Sequence, residues 1–534
     1  MKAPGHQMIL ASAGSGKTYA LTNRFIRLLA AGAGPERIAA LTFTRKAAGE
    51  FFDEILKKLA QASVSPEQAR KIAGEIDAPR LGPADFRRML RAMIEAMPRL
   101  TLGTLDGFFA RIVRSFPLEL GLGGDFEILR EHAAQLERAR VVRQMFAAPE
   151  AAQRAFTEAF KRATFGTEEK RLGAQLDGFL DEHAQIFLGA HEPGLWGVAA
   201  RIWPEGSPAL ASAPGRARAV EALRAALPWE RLGDKQRRRW ENFFAEHAGW
   251  TPGAPLPKPV RYLLLNAIAA WPDVAEVVVE RKAQGLPPPA AAALRTAVLA
   301  IVGGELEGRL EITRGIHAVL RHYEEVYDGA VRRLGRLTFG DLQRLLLPGA
   351  GDGSRPLSRV SDDARLFIDW RLDAQIDHWL LDEFQDTSHG QWRVLQNLID
   401  EAVQDGSGGR SFFYVGDVKQ AIFAWRGGDA RLFREIFNHY NSASSGAIEQ
   451  RRLDESWRSG PAVIEMVNRV FGDAAALGRL FPAPAAAQWS GEWQPHTTAR
   501  PGLGGYAALR TAAGEEARFA ETLRLLQEAR PLER

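Results

Sequence analysis

Eight residues near the start of the chain, Ala11-Ser12-Ala13-Gly14-Ser15-Gly16-Lys17-Thr18, carry the first chemistry legible in the sequence. A small, Gly-containing loop between a strand and a helix aims backbone N–H groups and a helix N-terminus at phosphates. Lys17 is placed to reach β- and γ-phosphates, and the Thr18 hydroxyl to hold Mg²⁺. The strict pattern opens with Gly. Ala11 stands there instead, small but less free to take positive φ. The competing reading is a Gly/Ser-rich turn that merely precedes a helix.

Such a loop needs carboxylates at the end of a neighbouring strand to hold the metal and activate water. Asp382-Glu383-Phe384-Gln385-Asp386 follows the apolar run Trp379-Leu380-Leu381. Asp382 suits Mg²⁺ coordination and Glu383 suits a general base orienting the attacking water. The alternative is an acidic strand end that caps the next helix, a task open to Asp386 or Ser388.

The flanking elements must position these groups. Met8-Ile9-Leu10 reads as a strand, and Leu21, Phe25, Leu28 and Leu29 mark one face of a helix that stops near Gly32. A second strand, 38–43, precedes a helix carrying Ala47, Ala48, Phe51, Phe52, Ile55 and Leu59. Strand–helix–strand at this spacing predicts a parallel sheet in an α/β domain. From 119 to 335 the pattern turns helical, rich in Ala, Arg, Glu and Leu and broken by prolines at 204–214, 252–259 and 287–289. The α/β rhythm returns after Thr338, with a second strand at Phe412-Phe413-Tyr414-Val415.

With 534 residues the chain is long enough for several domains. Its 69 basic and 65 acidic residues leave a net charge of +4, which permits a nucleic-acid partner without requiring one. The absence of cysteine excludes disulfides and cysteine-ligated zinc. No signal peptide precedes the phosphate loop and no apolar run is expected to span a bilayer, so the expectation is a cytoplasmic protein without a membrane partner.

Further segments, in order, carry a resemblance. They are Thr42-Phe43-Thr44-Arg45-Lys46-Ala47-Ala48, Val415-Gly416-Asp417-Val418-Lys419-Gln420 running on to Trp425-Arg426-Gly427-Gly428-Asp429, and Ser456-Trp457-Arg458-Ser459. With the phosphate loop and the acidic cluster they look like motifs I, Ia, II, III and IV of the UvrD/RecB/AddA branch of superfamily 1 DNA helicases. Thr104-Leu105-Asp106-Gly107-Phe108 is similar to the family's Thr-x-His-Ser-Phe element, with Asp106 where His is usual, and Phe339-Gly340-Asp341-Leu342 resembles its Phe-x-Asp-Leu stretch. The Ala-Ser-Ala-Gly opening and the long helical insert point to the RecB/AddA side.

The resemblance implies a RecA-like motor domain in two parts (1–118 and 336–440), a helical insertion (119–335) and the beginning of a second motor domain (441–534). It implies ATP and Mg²⁺ as cofactors, with Ala11 to Thr18 and Trp457 at the nucleotide, Gln420 sensing the γ-phosphate and Arg458 acting as an arginine finger. A buried core aromatic is the competing reading for Trp457. It also implies contacts to single-stranded DNA at Phe43, Thr44, Thr104, Phe108, Phe423, Trp425 and Arg426, with core packing the competing reading for Phe43. Duplex junctions and a nuclease or helicase partner subunit follow by the same resemblance, as does 3′→5′ movement in recombination or repair.

Two departures stand out. The family's adenine-reading glutamine lies upstream of the loop, where Gln7 is the candidate, and motifs V and VI have no counterpart, so the chain reads as the amino-terminal part of a longer protein. The alternative function is therefore a DNA-binding or assembly subunit with a nucleotide pocket and no productive turnover. Pro272-Asp273 with Glu280-Arg281-Lys282 spells a nuclease-like pattern, read here as coincidental.

Overall fold

The computed structural model describes residues 3–120, 122–147, 150–163, 172–252, 254–347, 368, 370–372, 375–424, 427–443 and 446–529. They divide into two compact units. The first takes the described residues up to Phe116 and from 346 onward, and the second runs Pro117–Leu345.

The first unit is built on a sheet whose central strands are mainly apolar and whose edge strands carry polar side chains. In order, the elements that matter are β1 (His6–Ala11), α1 (Lys17–Ala30), β2 (Ile38–Thr42), α2 (Arg45–Val64), β3 (Thr101–Thr104), α3 (Leu105–Ser115), β4 (His378–Leu381), α4 (His389–Gln404), β5 (Ser411–Gly416), α5 (Leu432–Ala443) and β6 (Ile448–Leu453). The strands form one six-stranded sheet in the order β6-β1-β5-β4-β2-β3. Every pairing in it is parallel. All residues of β2, β4 and β5 are buried, as expected of parallel strands covered on both faces. Phe25 and Phe51 from α1 and α2 meet edge-on over one face, with Ile9, Leu380 and Phe413 beneath them in the same core.

Helix starts follow local capping. The hydroxyls of Thr44 and Thr104 accept the N–H of Ala47 and Gly107 at the starts of α2 and α3, and Ser388 caps α4 in a reciprocal box with Gln391. Helix α1 starts differently: its cap is left-handed Gly16, with no side-chain hydrogen bond. Its first N–H groups have no intrahelical partner.

Three expectations need correction. Residues 448–453 were expected in a second motor domain, yet β6 is the edge strand of the first sheet, paired with β1 from His6↔Ile448 to Ala11↔Leu453. Residues 336–345 belong to the second unit, where Arg336–Leu337 pairs with Glu127–Ile128. Finally, among the described residues one helix is long and apolar enough to cross a membrane by length and composition. This helix, Pro288–Ala330, spans 43 residues. Its first half packs with Trp240, Phe243 and Leu263 in one core and its second half with Val141, Phe160 and Leu180 in another. Dividing its apolar side chains between two cores accounts for their number.

The second unit also explains the Phe339-Gly340-Asp341-Leu342 stretch. Asp341 is buried and accepts from the Tyr327 hydroxyl (3.1 Å), Arg332 Nε (2.6 Å), and the N–H (2.8 Å) and hydroxyl (2.7 Å) of Thr338. Burial pushes its pKa up, but Arg332, Arg344 and these hydrogen bonds more than offset that and hold it below the usual carboxylate range. Of the nuclease-like residues, Glu280, Arg281 and Lys282 lie in an antiparallel hairpin, Glu276–Val279 with Lys282–Gly285, whereas Pro272 and Asp273 precede it, and Glu280 at its tip is ion-paired with Arg239. Among the described residues no three His, Cys, Asp or Glu side chains group as metal ligands.

His378, at the start of β4, is buried with Nδ1 3.0 Å from the Ser411 hydroxyl. Burial, chiefly, lowers its pKa to about 4. The folded state therefore keeps the ring neutral while the unfolded chain, with a pKa near ~6.5, takes up a proton, so stability falls as pH drops from about 6.5 towards 4. His378→Gln should reduce that acid sensitivity by about 2–3 kcal/mol, read as the difference in urea-unfolding free energy between pH 7 and pH 4.5.

Candidate nucleotide site

Because the sheet is parallel, the six strands end on one edge, and the residues that follow them share it. After β1 comes the phosphate loop, after β2 Phe43 and Thr44, after β4 Asp382 and Glu383, after β5 Asp417, and after β6 Asp454.

The loop holds itself in shape. Ser15 donates its hydroxyl to the Ser12 carbonyl (2.7 Å) and accepts the Ser12 N–H (3.1 Å), and both residues are buried. Gly14 and Gly16 take φ of 73° and 92°. Ala11 is buried at the end of β1, while Ala13 and Thr18 are exposed. Lys17 points across the site and donates to Glu383 Oε2 at 2.6 Å.

Glu383 sits in the left-handed region at φ 49°, rare for a residue with a side chain. Its own N–H donates to Asp382 Oδ1 at 2.9 Å. Burial first, then the Glu383 charge, raises the Asp382 pKa to about 6, and the same two causes in the same order raise Asp386 to about 6. The oxygen donors of Thr18 and Asp382 suit a hard cation such as Mg²⁺, which is commonly held by one or two protein oxygens plus substrate phosphates.

Gln420 is exposed and donates its amide to Asp417 Oδ2 at 2.9 Å. Lys419 donates to the Ser12 hydroxyl at 2.9 Å, and that hydroxyl donates to Asp454 Oδ1 at 3.3 Å. The Ser456–Arg458 segment lies directly on the loop: the Trp457 N–H donates to the Gly14 carbonyl at 2.9 Å. A Cβ at Gly14 would come within 2.7 Å of Arg458 Cβ. Arg458 is exposed. Trp457 is 59% exposed, which removes the core reading for it.

Beside the loop a cleft of about 590 Å³ is lined by Gln7, Ser15, Gly16, Tyr19, Asn23 and Trp457, among others. Gln7 donates to Glu449 Oε2 at 3.2 Å, and buried Arg24 clamps the approach to β1 by donating to the carbonyls of Pro4 (3.0 Å) and Gly5. Tyr19 was missed in the sequence. It is 47% exposed, with the Lys58 ammonium 3.9 Å from its ring centroid. The signal was its place immediately after Thr18, on the first turn of the helix that faces the loop.

The aromatic residues separate. Phe43 and Phe423 are half-buried and pack together with centroids 4.7 Å apart, so Phe43 is not a core residue. Thr44 and Thr104 use their hydroxyls as helix caps. Phe108 corrects the expectation: it is 4% exposed and edge-on to Trp379, with no face available for a base. Trp425 and Arg426 lie outside the described residues.

The sequence matches the family described as the UvrD/REP helicase N-terminal domain over residues 2–441, and the chain belongs to that family. It is similar to the A subunit of the ATP-dependent helicase/nuclease of Streptococcus sanguinis strain SK36, at 25% identity over 514 residues, covering 87% of this chain and 38% of that protein. The protein of the same name from Streptococcus equi subsp. zooepidemicus strain MGCS10565 is 24% identical over 484 residues, covering 87% and 37%. The exonuclease/helicase protein RexA of Lactococcus lactis subsp. cremoris strain MG1363 is 38% identical over 95 residues, 18% of this chain and 7% of that one. The chain thus spans 38% of the length of the first of these relatives.

The contact between the loop and the 456–458 segment can be tested with paired glycines. Gly14→Ala meets both a positive φ and the Arg458 side chain, whereas Gly32 has φ 99° but nothing within 4 Å. Gly32→Ala should cost only the strain of about 1 kcal/mol. Gly14→Ala should cost more and also weaken Mg·ATP binding, as read by unfolding and by titration with a fluorescent ATP analogue.

Proposed function

We propose that the chain is the ATP-binding portion of an ATP-dependent DNA helicase or translocase that moves 3′→5′ on single-stranded DNA, acting at duplex junctions in recombination or repair. The observation that carries this reading is the meeting of three segments at one point: Lys17 on the loop, Glu383 2.6 Å from it, and the 456–458 segment hydrogen-bonded to Gly14.

In this reading Lys17 and the α1 N-terminus bind the β- and γ-phosphates, while Thr18 and Asp382 hold Mg²⁺. Mg²⁺, when bound, neutralises charge on the phosphate oxygens. Glu383 orients the attacking water and takes its proton. Gln420 faces the γ-phosphate, and Arg458 supplies positive charge to it from the opposite side. Tyr19 and Trp457 offer two exposed rings to the adenine in the cleft, whose lining includes Gln7. The second motor domain begins with the segment after β6. Phe43 and Phe423 form a stacking platform for DNA bases, and Trp425 and Arg426, which lie outside the described residues, are further DNA contacts by the family resemblance. The relatives' names motivate a partner with nuclease or helicase activity, and a cytoplasmic location is part of the same reading.

Steady-state ATP hydrolysis with and without single-stranded DNA tests the reading. Lys17→Ala should abolish Mg·ATP binding and turnover. Glu383→Gln should keep binding and lower kcat by at least ~10²-fold, the usual worth of a general base. Nucleotide binding with no hydrolysis in the unaltered chain would favour the alternative of a DNA-binding or assembly role. Unchanged turnover in Glu383→Gln would remove the assigned base.

Phe423→Ala should weaken single-stranded DNA binding by about 1–3 kcal/mol, the loss of one stacking platform. Fluorescence anisotropy of a labelled oligonucleotide reads this, and unaltered affinity would make the Phe43–Phe423 pair purely structural.

A further inference from the structure

We propose that Gln385 is a positioning residue that holds the Glu383 carboxylate in place and ties it to the loop after β5; the inference rests on the hydrolytic role given to Glu383. Gln385 is 2% exposed, and both ends of its amide are engaged. Nε2 donates to Glu383 Oε2 at 2.9 Å and lies 3.4 Å from Asp386 Oδ2. Oε1 accepts the Asp417 N–H at 2.9 Å. A flipped amide would set its oxygen against two carboxylates and its NH₂ against an N–H donor, so the orientation is fixed. The neighbouring chain makes room for it: a Cβ at Gly416 would lie 2.3 Å from Gln385 Oε1 and 2.8 Å from the Phe433 ring.

The need for such a support comes from the other partner of Glu383. Its Oε2 is shared by the Lys17 ammonium and the Gln385 amide. A triphosphate that draws Lys17 away removes the cation from Glu383, whose backbone is already at φ 49°. The Gln385 amide then remains on that oxygen.

Beyond Gln385 the contacts continue. Asp417 accepts from the Gln420 amide (2.9 Å) and from the Lys419 N–H (3.1 Å), and Lys419 Nζ reaches the Ser12 hydroxyl (2.9 Å). Lys17, Glu383, Gln385, Asp417, Lys419 and Ser12 thus form a ring of contacts that starts and ends on the phosphate loop. Gln385 is the member of the ring that joins the carboxylate motif after β4 to the loop after β5.

The test compares Gln385→Met, which keeps the length but has no donor, with Gln385→Glu, which keeps an acceptor and replaces the donor by a third carboxylate. Mg·ATP affinity is measured by titration and kcat by phosphate release, with circular dichroism to establish folding. Both variants should bind Mg·ATP within about threefold of the unaltered chain while kcat falls ~10–10²-fold, the scale of a misplaced catalytic group. Unchanged kcat in a folded variant overturns the inference and leaves the ATPase reading intact, provided Lys17→Ala still abolishes turnover. A loss of affinity as large as the loss of kcat makes Gln385 a structural residue and also overturns it. If Gln385→Met does not fold, Gln385→Glu decides by the same criteria. Absence of hydrolysis in every variant and in the unaltered chain fails the ATPase reading itself, and the inference with it.

Discussion

The constraint on which this unit depends is that its six strands all run the same way. A parallel sheet opens all its carboxyl ends on one edge, and each of the chemically equipped segments follows a strand there. The cost of such a sheet is that its central strands, here β2, β4 and β5, are buried on both faces and must be nearly all apolar. His378 and Ser411, buried at the start of β4 and β5, depart from that rule and satisfy it by bonding to each other.

At this edge the unsatisfied groups of one element become the binding equipment of another. Helices α2, α3 and α4 use side-chain caps, and α1 does not, leaving its first N–H groups to the loop. The charges follow the same logic. Asp382, Glu383 and Asp386 crowd together, so burial and mutual repulsion raise the pKa of the two aspartates, and Lys17 is the cation that balances them. Carboxylates held under that repulsion are suited to a metal ion, whose charge relieves it.

The second unit uses buried charge for a structural purpose. Arg332 bridges Glu324 and Asp341 at the end of the long helix, and Arg344 adds a second cation to Glu324 at 2.9 Å. Removing one member of such a network leaves an uncompensated charge in the core, which is far costlier than exchanging the whole set for apolar residues. The Phe339-Gly340-Asp341-Leu342 stretch therefore serves the folding of the insertion.

The sequence by itself determined the local chemistry: the phosphate loop, the Asp382-Glu383 pair, the strands that precede them and the helical insertion were all legible, because each depends on residue type and spacing within a few turns of chain. Family membership was legible too, since the motifs occur in order from Ala11 to Ser459, and the family match covers residues 2–441. Only the tertiary structure decided questions of burial and of pairing between distant segments. Phe108 and Phe43 look alike in sequence, yet one is sealed against Trp379 and the other is half-open beside Phe423. Strand β6 reads as the start of a new domain, but its hydrogen bonds go to β1 some 440 positions away, as between Ile448 and His6. Tyr19 and Gln385 were passed over for the same reason. Their roles draw on partners 39 and 32 positions distant, at Lys58 and Asp417, and the packing of the sheet edge, not local spacing, sets those partnerships.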